Sequence, residues 1–454
     1  MNAEREATAA IVLAAGQGTR MRSRLPKVMH KVAGLPLIGH VLAGLAPLRC
    51  AHEIVVIAPG MSDLAAAVAP RATAVQAEQL GTGHAVAAAV PQLNNHIGDV
   101  LVVYGDTPFI RTETLRRLIE RRRAADNPAA VVLGFRPAAA AEYGRLVLAA
   151  DGMLERIVEF RDANGAERAI GLCNSGVMAI DGTRIHALID RLDNRNAKGE
   201  FYLTDIVGLA RADNSVCAVI EADADELLGV NSRADLAVAE AIVQTRLRAA
   251  AMASGATLVD PASVFFSWDT RLGQDVTIGP NVVFGPGVEV HDTVEIGAFC
   301  HIENSVIEAG SRVGPFARLR GGTHIGRGAR IGNFVEMKAG QFGDGAKAAH
   351  LAYIGDARVG ADANIGAGTI TANYDGFAKH ETVVGEGAQI GSNSVLVAPV
   401  EIGPGAMVAA GSVITRNVPG DALAIARGRE TVKEGWAKLF RAARGKFVRT
   451  VRKD

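Results

Sequence analysis

From about residue 276 onward, aliphatic or aromatic side chains recur every six positions, and that period excludes most folds. Ile278, Phe284, Val290, Ile296 and Ile302 open the series. The phase slips by one, and Ile307, Val313, Leu319, Ile325, Ile331 and Met337 continue it. Tyr353, Val359, Ile365 and Thr371 follow a gap; Val384, Ile390, Leu396, Ile402, Val408 and Ile414 follow another. A helix needs a period near 3.6 and a half-buried strand a period of 2. A hexapeptide parallel β-helix needs six: each flat side turns one apolar side chain inward, and the next residue rounds a corner. Gly often takes that next place, as at Gly279, Gly297, Gly332 and Gly391, where a missing Cβ eases the bend. Residues 255–454 are therefore expected to form a left-handed parallel β-helix. The period breaks at 338–352 and 372–383. A solenoid stacks without insertions unless a loop has a task, so chemistry is sought in these two segments.

The first 230 residues carry a different pattern. Ile11-Val12-Leu13, Ile54-Val55-Val56-Ile57, Val100-Leu101-Val102-Val103 and Val131-Val132-Leu133 are short apolar runs separated by Ala/Leu-rich stretches of helical length. Such alternation predicts a mostly parallel sheet covered by helices, a Rossmann-like α/β domain over residues 1–233. Ligands of such sheets sit beyond the carboxyl ends of the strands. Residues 234–254 read as a helical linker, free of Pro and closed by Ser254-Gly255.

Composition narrows the function classes. Lys+Arg and Asp+Glu both number 48, so net charge offers no argument for a nucleic-acid or membrane partner. Cys50, Cys173, Cys217 and Cys300 are scattered without a CxxC pair, as expected of reduced thiols in a cytoplasmic protein. The apolar stretch Ala7–Ala15 runs straight into a Gly-rich loop and reads as a buried strand, not a targeting segment.

That loop is the sharpest motif of the first half. Small residues after a buried strand let the backbone approach a ligand, and exposed N–H groups suit phosphate oxygens. A bare Gly-x-Gly turn would say little. The full string Leu13-Ala14-Ala15-Gly16-Gln17-Gly18-Thr19-Arg20-Met21, followed by Leu25-Pro26-Lys27, closely resembles the signature of sugar nucleotidyltransferases. The resemblance implies that Leu13, Ala14, Ala15 and Gly16 contact nucleotide, with Arg20 and Lys27 charged against a triphosphate. Gln76, Gly81 and Thr82 match the base-reading segment, although a polar capping loop would read the same way. Tyr104-Gly105-Asp106 places one carboxylate just past a buried strand. Asp106 either caps the helix that follows or takes Mg²⁺, and the resemblance implies the metal, shared with Asn231. Gly144, Glu159 and Asn174 match sugar contacts. The implied reaction is in-line attack of a sugar phosphate on the α-phosphorus of UTP.

The two breaks in the solenoid carry Asn333 to Lys338, Lys347 to Asp356, Asn364 to Thr369 and Ala372 to Gly376. Acyl transfer from a thioester to an amine needs a base for the ammonium proton, and an imidazole titrates in the right range. His350 lies in the first break, with Arg320, Lys338 and Tyr353 nearby in sequence. These strings resemble the bacterial bifunctional N-acetylglucosamine-1-phosphate uridylyltransferase/glucosamine-1-phosphate acetyltransferases, over nearly the whole chain. By that resemblance His350 is the acetyltransferase base; Arg320, Lys338, Tyr353 and Asn364 bind the amino-sugar phosphate. Ala367, Asn373, Tyr374, Ser392, Ala410 and Arg427 line acetyl-CoA, although Asn373-Tyr374-Asp375-Gly376 also reads as a plain turn. The chain departs from the family at Gly321, Ala349 and Ala352, where Pro, Gly and Thr are usual.

The resemblance implies a cytoplasmic homotrimer, with small-molecule substrates and no nucleic-acid or membrane partner. It would acetylate glucosamine-1-phosphate with acetyl-CoA, then use UTP and Mg²⁺ to make UDP-N-acetylglucosamine for cell-wall precursors. Two other readings stand beside it: a nucleotidyltransferase whose β-helix only assembles an oligomer, and a regulatory protein of the same layout without sugar chemistry. The basic tail from Arg441 to Lys453 either helps hold CoA phosphates or is a solvated end.

Overall fold

The computed structural model describes residues 6–138, 140 and 142–451. Arg452 and Lys453 of the basic tail lie outside them. The chain separates into two compact units, residues 1–247 and 248–454.

In the first unit the apolar runs become neighbouring strands. Along the main path the order is Cys217–Glu221, Ala130–Phe135, Cys173–Asp181, Asp99–Tyr104, Thr8–Leu13, His52–Ile57 and Ala72–Val75. Only Cys173–Asp181 runs antiparallel to its neighbours on this path. Both faces are covered: Ile11, Ile54, Val56, Val100 and Val102 pack into one apolar layer, and Val12, Val55, Leu101 and Val103 into the other. That two-sided burial is why these strands read as unbroken apolar runs. The antiparallel hairpin of Arg145–Leu148 and Leu154–Val158 joins the sheet through Cys173. The helix Arg233–Ala253 packs Ala239 and Val243 against Val32, Leu37 and Phe109.

In the second unit, three parallel sheets of 10, 8 and 8 strands form the sides of a left-handed β-helix. A regular coil returns to the same side after 17 or 18 residues, as in Ile278 to Ile296 to Val313 to Ile331. The inward residues of all three sides are buried, which fills the solenoid with Ile, Val, Leu and Phe.

Two details of the periodic reading are corrected. Tyr353 is not an inward residue: Ile354 pairs with Met337 and is 1% exposed, while Tyr353 faces outward beside Glu336. Residues 338–352 are not an insertion either. Phe342 stacks between Ile325 and Val359, and Ala348 between Ile331 and Ile365, so the coil is complete. Ala348 is too small to mark the apolar phase in sequence. The second break is a true insertion, because Val359 pairs with Val384, 25 positions on.

Candidate active sites

The first site forms where adjacent strands end. Leu13 and Tyr104 are register partners, and Gly105 N–H donates to the Leu13 carbonyl at 2.9 Å. Ala14 N–H reaches back to the Val56 carbonyl at 2.9 Å, and Gln76 N–H to that of Ile57 at 2.9 Å. The segments that leave the strands at Leu13, Val75 and Tyr104 thus open on one edge of the sheet. Gly18 has φ +64°, and a Cβ there would lie 2.5 Å from the Lys27 Cβ. The second Gly of the loop is needed for Lys27 to pack across it.

Lys27 joins the expected metal ligands. Its Nζ donates to Asp106 Oδ2, and to Asn231 Oδ1 at 3.0 Å. Val230 N–H donates to the Asp106 carbonyl at 2.9 Å, which ties the two segments together over more than 120 positions. A cleft of about 340 Å³ lies beside them, walled by Leu13 to Gly16 and by Gln76, Gly81, Thr82 and Tyr104. Gln76 donates from Nε2 to the Gly81 carbonyl at 3.0 Å. Gly81 has φ +109°, and a Cβ there would lie 2.6 Å from the Phe201 carbonyl oxygen. No residue with a side chain fits that position.

Gly144, Glu159 and Asn174 also meet. Asn174 N–H donates to the Gly144 carbonyl at 2.9 Å. A Cβ on Gly144 would stand 3.5 Å from that of Asn174 and 3.6 Å from Glu159 Oε1. Burial pushes the Glu159 carboxyl above the ordinary range, opposed by Lys198 and the Thr204 hydroxyl. Burial, followed by the charges of Glu159 and Asp106, raises the Tyr104 hydroxyl. Arg20 is different: it is exposed, in the turn Thr19–Met21, and does not line the cleft. Two contributors escaped the sequence. Gln79 donates to the Ala15 carbonyl at 2.7 Å, and Glu200-Phe201 close the cleft, with Phe201 N–H on the Leu80 carbonyl at 2.7 Å. Gln79 lies between Gln76 and Gly81 in the segment that matches base readers; the 196–203 loop carries no motif at all.

The second site lies along one corner of the solenoid. Backbone bonds step from coil to coil: Leu351 N–H to Asn333 (3.0 Å), Asn393 N–H to Ala367 (2.7 Å) and Gly411 N–H to Ser392 (2.8 Å). Asn333, His350, Ala367, Ser392 and Ala410 therefore form a single ladder. Arg427 closes it, donating from Nη1 to the Ala410 carbonyl at 3.1 Å. His350 Nδ1 sits 2.5 Å from Asn333 Oδ1. A carboxamide oxygen only accepts, so Nδ1 carries a proton, which leaves Nε2 as the nitrogen that can exchange one with substrate.

On the adjoining flat side, Arg320, Lys338 and Gly355 stack in register, next to Glu336 and Tyr353. Arg320 donates from Nε to Glu336 Oε1 at 2.8 Å, and Lys338 Nζ lies 3.6 Å from Asp356 Oδ2. Asn373 Nδ2 donates to the same Asp356 oxygen, so Asn373 joins the cluster of Arg320, Lys338 and Asp356, not the corner ladder. The insertion also delivers Lys379 against Lys338, which holds the Lys379 ammonium below its usual range. Lys379 was missed because a lone Lys beyond a turn looks like solvated surface. Tyr374 is exposed, with its hydroxyl on the Gly376 carbonyl at 2.6 Å. Asn364 lies on the other flank of the same corner, between Lys347 and Gln389, on the strand paired with Lys347–His350.

Residues 10–176 match the MobA-like NTP transferase domain, and 269–304, 304–339 and 381–416 match the bacterial transferase hexapeptide (six repeats). The protein is 58% identical to the bifunctional protein GlmU of Paramagnetospirillum magneticum over 434 residues, covering 96% of each chain. It is 59% identical to that of Rhodospirillum rubrum, covering 96% of this chain and 97% of the relative. With that of Azorhizobium caulinodans the identity is 56%, covering 96% and 98%. This chain belongs to the bifunctional GlmU family. It is a bifunctional transferase of UDP-N-acetylglucosamine synthesis, with a nucleotidyltransferase half and a hexapeptide acetyltransferase half. The hexapeptide matches omit 340–380, the stretch where Ala348 and the insertion hide the repeat.

Proposed function

We propose that acetyl transfer occurs on the corner ladder and that the product is uridylylated in the N-terminal cleft. The observation that carries the first assignment is His350, held by Asn333 on the same row as Ala367, Ser392 and Ala410, one flat side from Arg320 and Lys338. Arg320, Lys338 and Lys379 supply positive charge to the phosphate of glucosamine-1-phosphate. Tyr353 and Asn364 border the sugar. His350 Nε2 takes a proton from the ammonium, the freed amine attacks the thioester carbonyl, and as the C–S bond breaks the nitrogen's second proton passes to the departing sulfur, so that CoA leaves as thiol. Ala367, Ser392 and Ala410 present backbone to the pantetheine arm, with Tyr374 and Arg427 at its sides, while Asn373 holds Asp356 beside Lys338. A general base of this kind supplies about 10²- to 10⁴-fold in rate.

In the N-terminal cleft, Gln76, Gly81 and Thr82 hold the uracil, while Leu13 to Gly16 pass backbone along the nucleotide. Gly144, Glu159 and Asn174 hold the sugar, and Tyr104-Gly105 separates the two ends. The sugar-phosphate oxygen attacks the α-phosphorus of UTP in line, and pyrophosphate leaves. Positioning and fixed charge do the work, without a covalent enzyme intermediate. The fit for Mg²⁺ rests on a donor test: Asp106 and Asn231 turn two hard oxygens onto one cation, here the Lys27 ammonium. When bound there, Mg²⁺ neutralises triphosphate charge, leaving Lys27 to meet the phosphates.

The active assembly is a trimer in this reading. Phe299, Phe316 and Phe334 stack at 4.9 and 5.0 Å along the ladder's corner and continue to Leu351, all at least 44% exposed. An apolar ridge of that kind marks an interaction surface. The four cysteines are free, in keeping with a cytoplasmic enzyme. The test is thiol release from acetyl-CoA with glucosamine-1-phosphate. The parent should release thiol, His350→Ala should lose nearly all of it, and UTP with Mg²⁺ should convert the product to a UDP-sugar. A folded parent that releases none would reduce the solenoid to a scaffold.

A further inference from the structure

We propose that the C-terminal helix, Trp436–Val451, is an interfacial anchor for a bilayer carrying anionic phospholipid. Trp436, Leu439 and Phe440 fall at i, i+3 and i+4, on one side of the helix. They are 55%, 71% and 45% exposed, and the Trp436 and Phe440 rings stack at 5.0 Å. The sequence keeps the spacing with Phe447 and Val451. Lys438, Arg441 and Arg444 fall between the apolar positions. A helix with Trp, Phe and Leu on one face and Lys/Arg on the other lies in the plane of a membrane interface.

Charge identifies the partner. From Lys438 to the end, seven Lys or Arg stand against the single acid Asp454. The neutrality of the whole chain hides this segregation. Four to eight basic residues on an amphipathic helix suit an anionic lipid surface; a neutral apolar groove offers them nothing. The helix is also placed to reach one. Residues 425–435 link it to the last strand, Leu423–Ala424, without regular structure, and Gly435 turns at φ +72° just before it. Eleven residues span up to about 35 Å when extended.

The chain has two tryptophans, so Trp268→Phe leaves Trp436 as sole reporter in the full-length enzyme. With vesicles of phosphatidylglycerol and phosphatidylcholine, the protein should co-sediment and Trp436 emission should shift blue. With phosphatidylcholine alone, or in high salt, both signals should fall. Lys438→Glu/Arg441→Glu/Arg444→Glu should weaken partitioning on the order of a hundredfold or more. Leu439→Ser/Phe440→Ser should abolish it, with both activities intact in vesicle-free buffer. An active parent that stays in the supernatant with anionic vesicles refutes the proposal. So does a Trp436 already blue-shifted and shielded from quencher without vesicles, which would mean that protein covers the face. A raised KM for acetyl-CoA in the charge variant, without vesicle binding, would assign the tail to CoA instead.

Discussion

Asn333→Ala tests the acetyltransferase centre at its least obvious point. Asn333 is not required to touch substrate; it fixes the imidazole. Its Oδ1 lies 2.5 Å from His350 Nδ1, and its coil stacks directly on that of His350. Both side chains are at least partly exposed, so water replaces the lost acceptor and folding is little affected. What is lost is orientation and the choice of tautomer. Outer partners that orient a functional imidazole are worth about 10- to 100-fold, or roughly 1.4–2.7 kcal/mol. The expected result is a kcat for acetyl transfer lower by about that factor. KM for glucosamine-1-phosphate should stay within about threefold, because Arg320 and Lys338 are untouched. Asn333→Asp keeps an acceptor and should recover most of kcat. Uridylyl transfer serves as the internal control. An unchanged kcat in Asn333→Ala, or a loss confined to KM, would refute the positioning role and leave His350 oriented by something else.

Lys27→Ala should lower uridylyl transfer by about 10²- to 10³-fold, as the loss of one fixed charge at a transition state does, while thiol release stays at the parent rate. Ile354→Ala should destabilise the solenoid by about 2–5 kcal/mol in urea unfolding; Tyr353→Ala should leave stability nearly unchanged and raise KM for the amino sugar. Equal destabilisation by both would return the inward phase to Tyr353. Burial, with the charges of Asp193, Glu159 and Asp162, lifts the Asp205 carboxyl to about 6 from an ordinary 3.8. The folded state therefore resists its ionisation, and each step of pH from about 4 to 6 costs the parent stability that Asp205→Asn does not lose. The melting temperature of the variant relative to the parent should rise across that window and level off above it. A flat difference would show that the carboxyl is not shifted.

Much of this protein is legible in one dimension because its constraints are local. The six-residue period reports a corner every six residues, and a side that must turn one side chain inward cannot hide that rhythm. The string from Leu13 to Lys27 is readable for a similar reason: Gly18 must be Gly because Lys27 packs against it. The pattern fails where the same physics is met by smaller groups. Ala348 fills an inward position too tightly packed to need more bulk, so residues 338–352 look like an insertion and are a complete coil. Only the stacking of coils decided that Asn333 meets His350, since 17 residues of sequence separate neighbours on one ladder. Only the insertion's path set Lys379 against Lys338, and only the return of a distant loop brought Phe201 over Gly81. Residue type and spacing determine what each segment becomes. Which side chains from different segments share a site depends on register and loop closure, and these are settled by packing over the whole fold.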